Sequence, residues 1–519
     1  MSPAWGDRDR TKCYINKSDA KSRQLGTFSG LYIVPFPGFR YREGIWRQVQ
    51  PCSTCDCRPR WFSSDLVTTG ARYSNAMTNP LIDYQLPAAR IRTAGLILLH
   101  TALCCISLAM VAGVWFAVPV DPAPFHIFYN SAGLPVAIGA VSAFAILSVA
   151  FCFARFSFGY AVAFYFYTMV SGYLWLNCFS DLHYDHKWSA ISAAASAVTF
   201  LLPALFIVSP LPQIYALSAN AFDRLLTVML LLAGAAVLVG ALYNFRLVGI
   251  VNIYDFRNRI ESPVIANYAI AVSSGALLPF AFAGFVARKA YWQAGAALLL
   301  LLLVYPITLS KLALFAPFWL MAMLLLSRFF AAKTAVIMSL LAPVLIGLIL
   351  HVLLRADSVM YVSVVNFRLL AIPSNSLDIY NDFFSRHEPT YFCQITLLKR
   401  FMECPYQEPL WSLMDKVYDL GNFNASLFAT EGIASVGSLL APLVTFVCGV
   451  AIALANRLSA GLPPRFILLS GAVLLPILLN VPFSIALNTH GGALLFLLWY
   501  ITPRAIFETT PPAAAQVPR

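Results

Sequence analysis

Residues 334–354 read TAVIMSLLAPVLIGLILHVLL, and residues 355–391 follow as RADSVMYVSVVNFRLLAIPSNSLDIYNDFFSRHEPTY. The first stretch is long and apolar enough to cross a bilayer, which takes about 20 such residues. The second mixes charges, amides and aromatics, and a lipid core cannot satisfy its polar groups. The contrast fixes the fold class as an all-α polytopic membrane protein with one large exterior segment at 356–436. Composition agrees. The 519 residues are 60% hydrophobic and 11% charged, whereas soluble domains carry about 25% charged residues. The net charge of +12 then reports membrane anchoring on the cytoplasmic side, with no nucleic-acid partner expected.

Working outward, the apolar runs predict about twelve spans. They are Ala94–Val118, Leu134–Ala154, Phe156–Ser180, Ala190–Val208, Leu225–Phe245, Tyr268–Val286, Trp292–Thr308, Leu312–Leu326, Thr334–Leu354, Gly437–Ala455, Phe466–Ile485 and Gly492–Ile501. Pro306 and Lys311 break the seventh and eighth, and the twelfth is short. Arg90, Arg92, Arg155, Arg224, Arg288, Lys289, Arg328, Lys333, Arg457, Arg465 and Arg504 then all fall on one face. By the positive-inside bias that face is cytoplasmic. Both termini lie inside, and the segment 356–436, between the ninth and tenth spans, lies outside. Domain organisation follows as a cytoplasmic tail over 1–92, a transmembrane domain over 93–504 and a short tail over 505–519.

The first 92 residues contain no span and no secretory leader. They read as a disordered tail, or as sequence upstream of a start at Met77, where MTNPLIDYQLPAARIR begins. Cys52, Cys55 and Cys57 in CSTCDC offer half a zinc site, with only Cys13 nearby as a fourth ligand, and no metal is expected there.

Several cations oppose the topological bias. Arg246, Arg257 and Arg259 lie in NFRLVGIVNIYDFRNRIESP after the fifth span, Lys311 lies between two apolar runs, and Arg355 and Arg368 flank the start of the large segment. An anionic ligand at the outer leaflet explains them, since Arg forks suit phosphate and Lys acts as a point charge. Pairing with Asp255, Glu261 or Asp357, or snorkelling to headgroups, explains them equally. The exterior segment also holds Asp378, Asp382, His387, Glu388 and Glu431, with Tyr380 and Tyr391 among them. NSLDIYNDFFSRH reads as a helix that places Asp378 and Asp382 on one face. A carboxylate or imidazole there can serve as general base to a sugar hydroxyl, and the aromatics can stack on sugar rings; a solvated amphipathic helix fits the pattern too. DLHYDHKW at 181–188 has metal-ligand residue types in no known spacing. Cys393 and Cys404 lie in a compartment that permits a disulfide.

RLLAIPSNSLDIYNDFFSRHEPTYF and GNFNASLFATEGIASVG resemble the exterior loop of bacterial O-antigen polymerases, the Wzy-type oligosaccharide repeat-unit polymerases. The matching positions are Arg368, Pro373, Tyr380, Phe383, Phe384 and His387, then Asn424, Ala425, Phe428, Glu431, Gly432 and Gly437. Glu388, between His387 and Pro389, departs from the pattern. SKLALFAPF around Lys311 and IYDFRNR around Arg257 also resemble family segments. The resemblance implies a GT-C-like fold, no cofactor, and a glycosyltransferase of the bacterial inner membrane. Its substrate would be an undecaprenyl-diphosphate-linked oligosaccharide, with lipid around it and a chain-length regulator as a possible partner. On this reading Arg368, His387, Asp382 and Glu431 carry the chemistry, and Arg246, Arg257, Arg259, Lys311, Arg355, Tyr380 and Asn424 bind substrate. An O-antigen ligase shares these features. A polyprenyl-phosphate glycosyltransferase would place acids in the first exterior loop, where PVDPAPFHIFYNS has only Asp121. A flippase would show internal repeats and short loops.

Overall fold

The computed structural model describes residues 87–115, 126–249, 253, 256, 260, 262–354, 359–395, 398, 401–418 and 428–507. The chain divides into two units, Met1–Leu81 and Ile82–Arg519, and every described residue lies in the second. The expectations for CSTCDC, for Met77 and for the tail beyond residue 507 lie outside the described residues. Residues 87–92 are not tail: they form the first turns of the first helix.

The described residues are helical, with one isolated bridge, Ile127 to Ser180, in place of any sheet. In chain order the helices are α1 (Pro87–Trp115), α2 (Gly133–Ala145), α3 (Ser148–Phe153), α4 (Phe158–Leu176), α5 (His186–Phe206), α6 (Ala219–Tyr243), α7 (Val264–Val272), α8 (Leu278–Ala287), α9 (Tyr291–Thr308), α10 (Lys311–Phe329) and α11 (Ala332–Leu354). They continue as α12 (Val359–Val362), α13 (Ile372–Arg386), α14 (Leu410–Tyr418), α15 (Ala429–Ser459), α16 (Pro464–Gly471), α17 (Leu474–Asn480), α18 (Phe483–Asn488) and α19 (Gly492–Ile501). π-Helical turns join α7 to α8 at Ser273–Leu277 and α12 to α13 at Ser363–Ala371.

Among the described residues nine helical stretches are long and apolar enough to cross a membrane. They match nine of the expected spans, with α2 plus α3 and α7 plus α8 each acting as one crossing. Leu231, Leu242, Val352 and Leu443 on them are exposed, as lipid-facing residues must be. This is a multi-pass membrane protein. The other three expected spans differ. The eleventh is three short helices, α16 to α18, and the twelfth is the ten-residue α19.

The third expected span is α4, and it is the core of the molecule. All of its 19 residues are buried. It carries tyrosines, glycines, a threonine and a serine in place of a lipid-facing leucine stripe, because every side of it meets protein. Its polar groups find partners across the bundle. Tyr165 bonds Ser339 of α11 at 3.0 Å, Tyr167 bonds Thr101 of α1 at 3.0 Å, and Thr168 bonds His100 of α1 at 3.0 Å. The Gly159 N–H donates to Asn456 of α15 at 2.7 Å. Interhelical polar bonds of this kind hold helices together where lipid tails give no hydrophobic drive.

Several basic residues lie at one end, although Arg246, Lys311 and Arg368 do not. Arg90 lies 4.9 Å from the Phe153 ring, Arg288 pairs with Asp223 at 2.7 Å, and the Leu211 N–H reaches the Arg457 carbonyl at 3.2 Å. The far end holds the bridge at Ile127, the loop 177–185, α13 and the start of α15.

Candidate functional site

The decisive difference from the sequence expectation concerns α13. The polar run after residue 371 is a helix, as its pattern predicts, but it does not stand in water. Every residue from Pro373 to Phe384 is buried. The helix lies against α4 and α15, and Ser374, Asn381 and Asp382 find hydrogen-bond partners in protein, while the Asn375 amide is buried without one among the described residues. Gly172 of α4 permits this approach. A Cβ there would collide with the Ser374 hydroxyl and lie 3.0 Å from the Ser374 Cβ, while Ser374 Oγ donates to the Met169 carbonyl at 3.2 Å. Gly172→Ala is therefore expected to destabilise the protein by about 1–3 kcal/mol through overpacking. Ser374→Gly in the same chain should recover most of that loss, and a double-mutant cycle on thermal unfolding in nanodiscs measures the coupling.

Two carboxylates sit on the buried face, and both are fully buried. Asp382 accepts from the His183 backbone N–H at 3.0 Å, from the Tyr418 hydroxyl at 2.5 Å and from the Arg386 guanidinium one turn on. It ties the 181–188 loop and α14 to α13. Asp378 accepts from the Tyr184 hydroxyl. Its Oδ2 is buried without a partner of hydrogen-bonding geometry, although the Ser180 hydroxyl stands beside the carboxyl. Burial pushes Asp378 up to about 7; Ser180 and Tyr184 counter this, Asp382 adds to it, and His126 counters it more weakly. Tyr184 is itself held well above its ordinary value by burial and by the Asp378 charge, so it remains a donor. Beyond it the network runs through Asn177, which accepts from Tyr184 at 2.8 Å and contacts His186 at 2.9 Å, to Tyr173 of α4.

DLHYDHKW is thus a structural knot. Asp185 caps α5 by accepting from the Trp188 N–H at 2.9 Å, His186 also contacts the Leu182 carbonyl at 2.9 Å, and Asp181 pairs with His126. Among the described residues no three His, Cys, Asp or Glu side chains converge as a metal site would require.

The other candidate residues spread over the far end. Glu431, in the first turn of α15, accepts from the Phe483 N–H at 2.8 Å. It caps the start of α18, where the helix dipole favours an anion. Tyr380 is buried within reach of the Glu431 charge. His387 ends α13, is exposed, and stacks on Phe383 at 4.0 Å with 6° between the planes. Arg368 is exposed on the π-helical stretch before α13, and Arg246 is exposed beyond α6. Lys311 opens α10 and is half-buried. Ile253, Phe256 and Ile260 pack with Leu309 and Ala313, on either side of Lys311 in the sequence. Arg368 is carried by a different element. Arg257, Arg259, Arg355 and Asn424 lie outside the described residues. Tyr184 and Asn177 are polar groups of this network that sequence reasoning did not single out, whereas Asp378 was named there through its repeat with Asp382 four residues apart.

A short cover crosses this region. Cys393 and Cys404 are disulfide-bonded, with Cα atoms 5.3 Å apart. The backbone N–H groups of Thr390 and Tyr391 donate to Ala434 and Ser435 of α15 at 2.7 and 3.1 Å. Tyr406 packs 6.0 Å from Phe383 and donates to the Glu388 carbonyl at 2.5 Å. Replacing both cysteines with serine should lower stability by about 2–3 kcal/mol, as expected for a loop of this size. Thermal unfolding of the oxidised and double-serine proteins checks it.

No family model, no curated protein and no solved structure matches the chain.

Proposed function

We propose that the protein is a membrane glycosyltransferase that polymerises undecaprenyl-diphosphate-linked oligosaccharide repeat units at the periplasmic face of a bacterial inner membrane. The observation that carries this reading is the buried polar helix α13, with Asp378 and Asp382, on the segment that resembles the Wzy-type polymerases. Ionisable groups held inside a membrane domain are expensive and are kept where function uses them. In the proposed step an acceptor sugar hydroxyl attacks the anomeric carbon of the donor glycan. The carbon–oxygen bond to the lipid diphosphate breaks, and the diphosphate leaves with the electron pair. Arg246, Lys311 and Arg368, at the far end, would stabilise the charge that develops on the leaving oxygen, together with Arg257, Arg259 and Arg355. His387 is exposed and would be open to substrate, whereas Asp382 and Glu431 already hold donors and so would act by fixing the site's shape. A GT-C-like arrangement and a chain-length regulator as partner belong to the same proposal.

The lipopolysaccharide of a deletion strain tests it. A single repeat unit on the core, restored to a ladder by the intact gene, is expected. A core with no repeat unit would point to a ligase or a flippase instead.

A further inference from the structure

His126 and Asp181 form a pair that neither the buried carboxylates nor the cations account for. His126 Nδ1 lies 3.1 Å from Asp181 Oδ1, with the two side chains 28% and 49% exposed. The pairing is built into the backbone as well. The Asp181 N–H donates to the His126 carbonyl at 3.0 Å, the Phe128 N–H donates to the Phe179 carbonyl at 2.7 Å, and Ile127 bridges Ser180 between them. His126 takes φ of 53°, a left-handed conformation disfavoured for a side-chain-bearing residue and tolerated where the surroundings impose it. With Nδ1 on the carboxylate, the ring is held through one nitrogen, and the side chain keeps 28% of its surface exposed. Directly beneath, Ser180 joins this pair to Asp378, whose buried Oδ2 lacks a partner. An imidazole oriented by a carboxylate through one nitrogen is the arrangement that prepares the other nitrogen to take a proton.

We infer that His126, oriented by Asp181, is the general base that receives the proton of the acceptor glycan's hydroxyl. This rests on the glycosyl-transfer reading above. As the acceptor oxygen bonds to the anomeric carbon, its O–H electrons form that bond and its proton passes to His126 Nε2. The lipid diphosphate departs from the opposite side with the electron pair of the broken bond. Asp181 is a positioning residue: it fixes the tautomer and steadies the imidazolium.

The test uses full-length protein in nanodiscs with an undecaprenyl-diphosphate-linked oligosaccharide. His126→Ala is expected to lower kcat by about 10²–10⁴-fold, the usual worth of a general base, with KM little changed. Free imidazole should restore part of the rate, which no structural role predicts. Asp181→Asn should lower kcat by about 10–100-fold. A His126→Ala protein within threefold of wild type, or one that imidazole does not rescue while His126→Gln retains full activity, overturns the inference. A nitrogen-15 spectrum of the histidines separates this from failure of the functional reading. If wild type makes no polymer, the polymerase reading falls. The inference falls with it; where wild type is active, a His126 Nε2 signal that the oligosaccharide leaves unmoved, or a tautomer that Asp181→Asn leaves unchanged, overturns the inference alone.

Discussion

Asp378→Asn is expected to flatten the pH dependence of stability between pH 4 and pH 7. Burial holds the Asp378 carboxyl at about 7 in the folded protein, against an ordinary 3.8. A group whose folded pKa is raised binds more protons folded than unfolded, so stability falls as pH rises through that window. The contribution is fully present below about pH 4 and is lost by about pH 7. The span corresponds to stability on the order of 4 kcal/mol. Asparagine keeps an acceptor for Tyr184 and carries no charge, so the variant should match wild type near pH 4 and exceed it at pH 8. Thermal midpoints across this range in nanodiscs measure both. Parallel curves for the two proteins would show that Asp378 is ionised without penalty and not buried as described.

Asp382→Ala acts in the opposite direction. It strips the partner from the His183 N–H and the Tyr418 hydroxyl. Each bond to a charged acceptor contributes about 1.5–3 kcal/mol. The Arg386 contact adds little, because that side chain is 52% exposed and water screens it. A loss of about 3–5 kcal/mol is expected. Hydrogen exchange should rise selectively in residues 183–186 and 410–418, which Asp382 ties to α13 through the His183 N–H and the Tyr418 hydroxyl. A loss below 1 kcal/mol, or exchange unchanged in those segments, would contradict the bonding described.

The crossings were legible because a 20-residue apolar run leaves few alternatives. The Arg and Lys pattern predicts an orientation, cytoplasmic for the end that carries Arg90 and Arg288. What the sequence hid was which helix lies inside. The composition of α4 differs from its neighbours in tyrosine and glycine, and those residues gain meaning only from Ser339, Thr101 and Ser374, each far along the chain. The same holds for α13. Its helical pattern could be read from NSLDIYNDFFSRH, but its polarity argued for water. It is buried because its acids find Tyr184 and the His183 backbone, 194 and 199 residues away, and no local pattern encodes such a pairing. Glu431 was read as a catalytic residue, and its partner in the structure, the Phe483 N–H, appears only when the eleventh apolar run breaks at Pro482. Gly437 takes φ of 77° and ψ of 169° inside α15, so the helix is interrupted where the apolar run begins.

The central claim is that α13 is an internal helix at the exterior end of the membrane domain. Single cysteines at Ser374 and at His387, in a background without the unpaired native cysteines, test it with a membrane-impermeant thiol reagent on intact spheroplasts. Rapid labelling at 387 and protection at 374, lifted only by denaturant, is the predicted result. Equal labelling at both would put the helix in water, and protection at 387 would put it on the wrong side of the membrane.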